Sequence, residues 1–204
     1  MFDFITGFLK EHGYVGLFTL MVLENVFPPI PSEVIVPFAG FVAAHGELHL
    51  GGVLLAGTLG SVVGALPWYY AARAYGAERL KKAAAHHGRW FALTCRDIDH
   101  ALGVFDRHGG KAVLFGRLVP AVRTLISLPA GIATMKLPVF LLLSSIGSLA
   151  WTALLAATGY LLKDQYAHVA EFVDPVSKAV LGLLLGWYLY RVAMWKPARL
   201  GNGQ

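Results

Sequence analysis

A chain of 204 residues that is 56% hydrophobic and only 14% charged, with a mean hydropathy of +0.59, lies well outside the balance of a soluble domain and reads as one compact integral membrane domain. The formal charge of +5 does not point to nucleic acid, because Lys and Arg accumulate in the cytoplasmic loops of membrane proteins. A lone cysteine, Cys95, excludes an internal disulfide and a thiolate metal cluster, and no signal peptide is expected, since Asp3 precedes the first basic residue, Lys10, with no small-residue cleavage pattern.

In chain order, residues 1–13 place Phe2, Ile5, Phe8 and Leu9 on one helical face, which predicts an interfacial helix. Tyr14 to Leu23 is apolar but too short for a hydrocarbon core of roughly 30 Å. It meets Glu24 and then Pro28, Pro29 and Pro31, which bar continuous helix, before a second apolar piece containing Pro37 and Gly40. Residues 14–44 therefore read as a re-entrant hairpin, whose freed carbonyls must face protein or a water-filled cavity. Residues 50–74 are long enough to span, and Gly60-x-x-x-Gly64 gives them a small face. Between 75 and 111 basic residues outnumber acidic ones, so this region is expected to be cytoplasmic; within it Thr94-x-x-Asp97, then Ile98, Leu102 and Phe105, predict an amphipathic helix stopped by Gly109-Gly110.

Residues 112–136 form a second broken apolar stretch with Pro120, Pro129 and Gly131, and 137–162 a second span whose small face holds Ser144, Gly147 and Ser148. A last span is expected at 173–194, with Arg191, Lys196 and Arg199 holding the C-terminus on the cytoplasmic side.

The two broken stretches echo each other. At an offset of about 92 residues Pro28 falls on Pro120 and Pro37 on Pro129, and both copies run into an Ala-Gly pair, Ala39-Gly40 and Ala130-Gly131. One full crossing between the copies inverts the second. The predicted fold is an all-α integral membrane protein: an inverted repeat of two re-entrant helical hairpins, each followed by a transmembrane helix, plus a C-terminal transmembrane helix and amphipathic interfacial helices.

Charge divides between the copies, with Glu24 and Glu33 in the first and Arg117 and Arg123 in the second. Near the centre of a membrane helix each costs roughly 2.5 to 3.5 kcal/mol on insertion scales, so the four call for pairing or water. One reading makes them internal ion pairs that pin the hairpins together. The other gives the arginines an anionic substrate group, which a planar, permanently charged fork holds bidentately, while a glutamate binds and releases a proton. His86, His87, His100 and His108 do not fall at metal-ligand spacing, and neither a metal nor a cofactor is expected.

The run Glu24-Asn25-Val26-Phe27-Pro28-Pro29-Ile30-Pro31-Ser32-Glu33, with Phe115-Gly116-Arg117-Leu118-Val119-Pro120-Ala121-Val122-Arg123-Thr124 and Pro129-Ala130-Gly131, resembles the DedA family of bacterial inner-membrane proteins, related to the eukaryotic SNARE-associated Golgi (VTT-domain) proteins. The resemblance covers roughly Gly13 to Leu162. It implies two re-entrant hairpins in an inverted repeat and lipid translocation: return of undecaprenyl phosphate and proton-dependent membrane homeostasis in bacteria, phospholipid scrambling in eukaryotes. It also places Glu24, Glu33, Arg117 and Arg123 at the family's acidic and basic motif positions. One motif departs: where many relatives carry Y-x-x-G-R-x-x-G, this chain has Ala72 for the first glycine between Tyr69 and Arg73, and Ala65, Leu66 and Pro67 offer no carboxylate before the tyrosine.

The sequence thus predicts a non-enzymatic inner-membrane lipid transporter or flippase for a polyprenyl phosphate or phospholipid. Protons are its candidate coupling ion and a homo-oligomer is compatible with it. The alternatives are a proton-driven small-ion or drug exporter, a membrane-organising scaffold, and an intramembrane lipid phosphatase, for which the sequence holds no recognised motif.

Overall fold

The computed structural model describes residues 2–26, 32–91 and 95–162, with residues 186 and 190. Pro28 and Pro31 of the first proline run, Thr94 of the expected capping box, and the predicted span 173–194 apart from those two positions lie outside the described residues.

Among the described residues the secondary structure is helical, in eight helices. Helix α1 (Phe2–Val26) changes direction at Gly13, whose φ of 53° favours glycine, so the expected boundary between the first amphipathic piece and the apolar piece falls on a real break. Ile5 and Leu9 of the first piece are buried against the protein. Helix α2 (Ser32–Ala44) is buried along nearly its whole length and contains Pro37. Helix α3 (Leu50–Phe91) passes the expected end of the span and breaks at Gly76, where φ is 69°.

Helix α4 (Cys95–His108) is amphipathic, buries Phe105 and is followed by Gly109 at φ 50°, the expected stop. A 2.5 Å ion pair between Lys81 and Asp99 ties it to the far part of α3. The stretch before the last long helix is made of three short pieces, α5 (Gly110–Gly116), α6 (Pro120–Arg123) and α7 (Ser127–Ile132). Pro120 opens α6, where its missing N–H costs nothing, and Pro129 lies buried within α7. Helix α8 (Leu137–Leu162) is unbroken.

Among the described residues two helices, Leu50–Arg79 within α3 and all of α8, are long and apolar enough to cross a membrane. Each keeps one apolar face exposed, Leu55, Leu59 and Val63 on α3 and Leu142, Ile146 and Leu149 on α8. A Cβ on Gly57 would meet the Thr152 side chain, and Ser61 touches Ser148, so numbering rises along α3 as it falls along α8. The two long helices are antiparallel where they meet.

Packing respects an exchange of halves. Helix α1 lies on α3 as α5 lies on α8, and α2 lies on α8 as α7 lies on α3. Small residues make these approaches possible. A Cβ at Gly60 would stand 2.8 Å from Met21 Cβ, and one at Gly147 would stand 2.7 Å from Arg117 Cβ. Gly40 faces the Ala156 backbone and Gly159 the Pro37 backbone, while Gly131 faces the Tyr69 carbonyl and the Ala72 methyl. The Gly60-x-x-x-Gly64 pair is the seat of α1, with Gly64 against Val22 and Asn25.

Candidate functional site

At the seam of the two halves the fold buries a polar cluster. Glu24 and Asn25, in the last turn of α1, are 5% and 1% exposed; Arg117, just after α5, and Arg123, at the end of α6, are 1% and 4% exposed. Glu24 Oε1 pairs directly with Arg123 Nη2. Arg117 makes no carboxylate pair among the described residues. Its Nη1 donates to Asn25 Oδ1 at 3.5 Å, and its Nη2 donates to Ser127 Oγ at 3.2 Å and Ser144 Oγ at 3.4 Å. Its Nε has no acceptor among the described residues, and its Cζ lies 5.9 Å from the Phe140 ring centroid. Two guanidiniums therefore face one buried carboxylate, and the positive charge in excess sits on Arg117.

Of the residues singled out by sequence, Glu24, Arg117 and Arg123 come together here. Glu33 lies in the first turn of α2 with its side chain exposed and stands outside the ion pair. Pro37, Gly40, Pro129 and Gly131 are buried in helix contacts, Pro37 and Gly40 against Gly159 and Ala156 of α8 and Gly131 against Tyr69 and Ala72 of α3.

Asn25 was missed by sequence reasoning. Its Nδ2 lies 3.0 Å from the Met21 carbonyl, 3.1 Å from Glu24 Oε2 and 3.3 Å from Ser61 Oγ, and Ser61 in turn touches Ser148 at 3.3 Å. Trp68 Nε1 donates to the Asn25 carbonyl at 2.9 Å. The one available signal was its place beside Glu24 in a run that is otherwise apolar. Ser127 and Ser144 were equally silent, since serine on the small face of a membrane helix ordinarily means packing.

The imperfect motif also acquires a role. Tyr69, fully buried and stacked on Phe140, donates to the Met135 carbonyl, and Arg73 Nη1 reaches both the Tyr69 hydroxyl at 2.7 Å and that carbonyl at 3.3 Å. These contacts tie α3 to the turn that leads into α8. Ala72, in place of the glycine, lies against Gly131.

Among the described residues no group of His, Cys, Asp or Glu is arranged to hold a metal ion. Buried ionisable groups between antiparallel apolar helices define the class: a helical membrane protein with its charge gathered at the contact of two exchanged halves. The chain belongs to the VTT domain family, which it matches over residues 30–161. It is 40% identical over 185 residues to a protein of Lactococcus lactis subsp. cremoris named alkaline phosphatase-like protein, covering 90% of this chain and 86% of that one. It is 36% identical over 190 residues to undecaprenyl phosphate transporter A of Staphylococcus aureus, covering 93% and 94%. The undecaprenyl phosphate transporter A of Bacillus subtilis is 28% identical over 177 residues, covering 87% and 85%. No solved structure gives a significant match.

Proposed function

We propose that this protein is a bacterial inner-membrane transporter that moves the phosphate headgroup of a lipid, a polyprenyl phosphate such as undecaprenyl phosphate or else a phospholipid, across the bilayer while its tail stays in lipid. The observation that carries the reading is Arg117: a buried guanidinium held by neutral partners, with an Nε that no described group accepts from. A fixed cation of this kind suits a phosphate oxygen, and Ser127 and Ser144 stand beside it to donate hydroxyl hydrogen bonds. The names of the Staphylococcus and Bacillus relatives agree with this substrate class.

In this reading α3 and α8 cross the membrane in opposite senses, residues 14–44 and 112–136 enter as re-entrant hairpins, 173–194 adds a third span, and the basic region 75–111 and the C-terminus are cytoplasmic. Phe115, Val119, Val122 and Leu125, exposed on the broken stretch, would face lipid tails. Glu24 competes with the substrate for the arginines in the empty state and is the candidate proton carrier.

The test is movement of labelled undecaprenyl phosphate, with a phospholipid control, in proteoliposomes holding wild type, Arg117→Ala or Glu24→Gln, with phosphate release followed in the same vesicles. Faster polyprenyl-phosphate movement by wild type, lost in folded variants and without phosphate release, supports the carrier. Movement of neither lipid by folded wild type, with or without a proton gradient, removes lipid transport and leaves a small-ion exporter or scaffold. Phosphate release would move the assignment to the hydrolase that the Lactococcus relative's name invokes.

A further inference from the structure

We propose that Asn25 is the specificity-determining residue of the site: its neutral amide holds Arg117 in place without discharging it, and so reserves the guanidinium for a phosphate. This rests on the reading of Arg117 as the phosphate-binding group.

The side chain of Asn25 is 1% exposed and lies between two kinds of group. On one side are acceptors, the Met21 carbonyl at 3.0 Å and Glu24 Oε2 at 3.1 Å; on the other is a donor, Arg117 Nη1 at 3.5 Å. An amide has one donor end and one acceptor end, and only one of its two orientations satisfies both sides. A carboxylate at this position would oppose the acceptors with negative charge, and an aliphatic side chain would satisfy neither.

With asparagine at position 25, the one buried carboxylate of the cluster is engaged by Arg123, and Arg117 meets only an amide and two hydroxyls. An aspartate there would give Arg117 a charge-assisted partner and cancel the excess charge. The neutral residue is therefore what keeps the cluster selective for an anion. At 3.5 Å the Arg117–Asn25 bond is the longest that the guanidinium makes, and a neutral carbonyl oxygen is a weaker acceptor than a phosphate oxygen. It is the contact that an incoming phosphate displaces at least cost, and Nε is free to join the same ligand.

The experiment is binding of farnesyl phosphate to the full chain purified in detergent, by calorimetry or phosphorus NMR, with Gly51→Ala as a control remote from the cluster. Asn25→Asp is expected to weaken binding roughly thirtyfold or more through loss of free charge, and Asn25→Ala only about threefold to fivefold through looser positioning of Arg117. Ser144→Asp delivers a carboxylate to Arg117 from α8 and leaves the donors of Asn25 undisturbed, and the isosteric neutral Ser144→Asn, which removes the same hydroxyl without adding charge, is the reference against which its loss is read. Ser144→Asp is expected to match the loss in Asn25→Asp, and it decides the question if Asn25→Asp does not fold. Equal losses in the aspartate and alanine variants, or binding retained in Ser144→Asp, would overturn the charge argument with the phosphate reading intact. Failure of folded wild type to bind farnesyl phosphate would overturn the phosphate reading, and this inference with it.

Discussion

At the scale of single residues, the two arginines differ in kind although they look alike in sequence. Arg123 belongs to an ion pair, and Arg117 is a charge supported by dipoles. Removing one partner of a buried pair leaves the other uncompensated, so Glu24→Gln is expected to destabilise the protein by about 3 kcal/mol, and the double variant Glu24→Gln/Arg123→Gln to recover much of that. A double-mutant cycle on thermal unfolding in detergent measures it. Arg117→Lys keeps the charge but replaces a fork that spans Asn25, Ser127 and Ser144 with a point donor. We expect it to fold and to lose roughly tenfold or more in lipid translocation, equivalent to about 1.4 kcal/mol, in the vesicle assay. The sequence made the charged residues legible because charge in an apolar run is costly and therefore conspicuous. Asn25, Ser127 and Ser144 were illegible because their meaning comes from the helices that approach them, and nothing in their own neighbourhood announces that approach.

At the scale of elements, breaks were easier to read than the paths between them. Gly13 and Gly109 stand where the apolar pattern ends, and the chain does turn there at positive φ. The second broken stretch is marked in sequence by Pro120, Pro129 and Gly131, and within it the chain takes three short pieces, Pro120 opening α6 and Pro129 lying inside α7. The turn that follows holds Thr134 at φ 51°, a region unfavourable to a β-branched residue. Thr134→Gly is expected to raise stability by about 1 kcal/mol, visible as a higher unfolding temperature. Close contacts carry the opposite expectation. Gly40→Ala drives a methyl into the Ala156 backbone and should cost about 1 to 3 kcal/mol, whereas Gly51→Ala, with open space around it, should not destabilise.

At the scale of the molecule, helices α1 and α7 pack on α3 while α2 and α5 pack on α8. Asn25 and Arg117, 92 residues apart, touch, and so do Ser61 and Ser148, 87 residues apart. Asn25 and Arg117 also hold matching places, Asn25 against Gly64 and Ser61 as Arg117 lies against Gly147 and Ser144. With Cys95 replaced by serine, Ser61→Cys/Ser148→Cys is expected to crosslink α3 to α8 and halt translocation until a reductant is added, if transport requires the halves to move at this seam. The exchange is also imperfect in a way that has mechanical weight. The α2–α8 contact is reciprocal, a glycine on each helix meeting backbone on the other, whereas in the α7–α3 contact Gly131 meets the Tyr69 carbonyl and the Ala72 methyl and α3 presents no glycine there in return. Two glycines hold the first joint and one holds the second, so spontaneous opening is expected to begin beside α7. Backbone amides of Ser127–Ile132 are then expected to exchange with deuterium well before those of Ser32–Ala44, and a protein assembled from near-equivalent halves would have a preferred direction in which to yield.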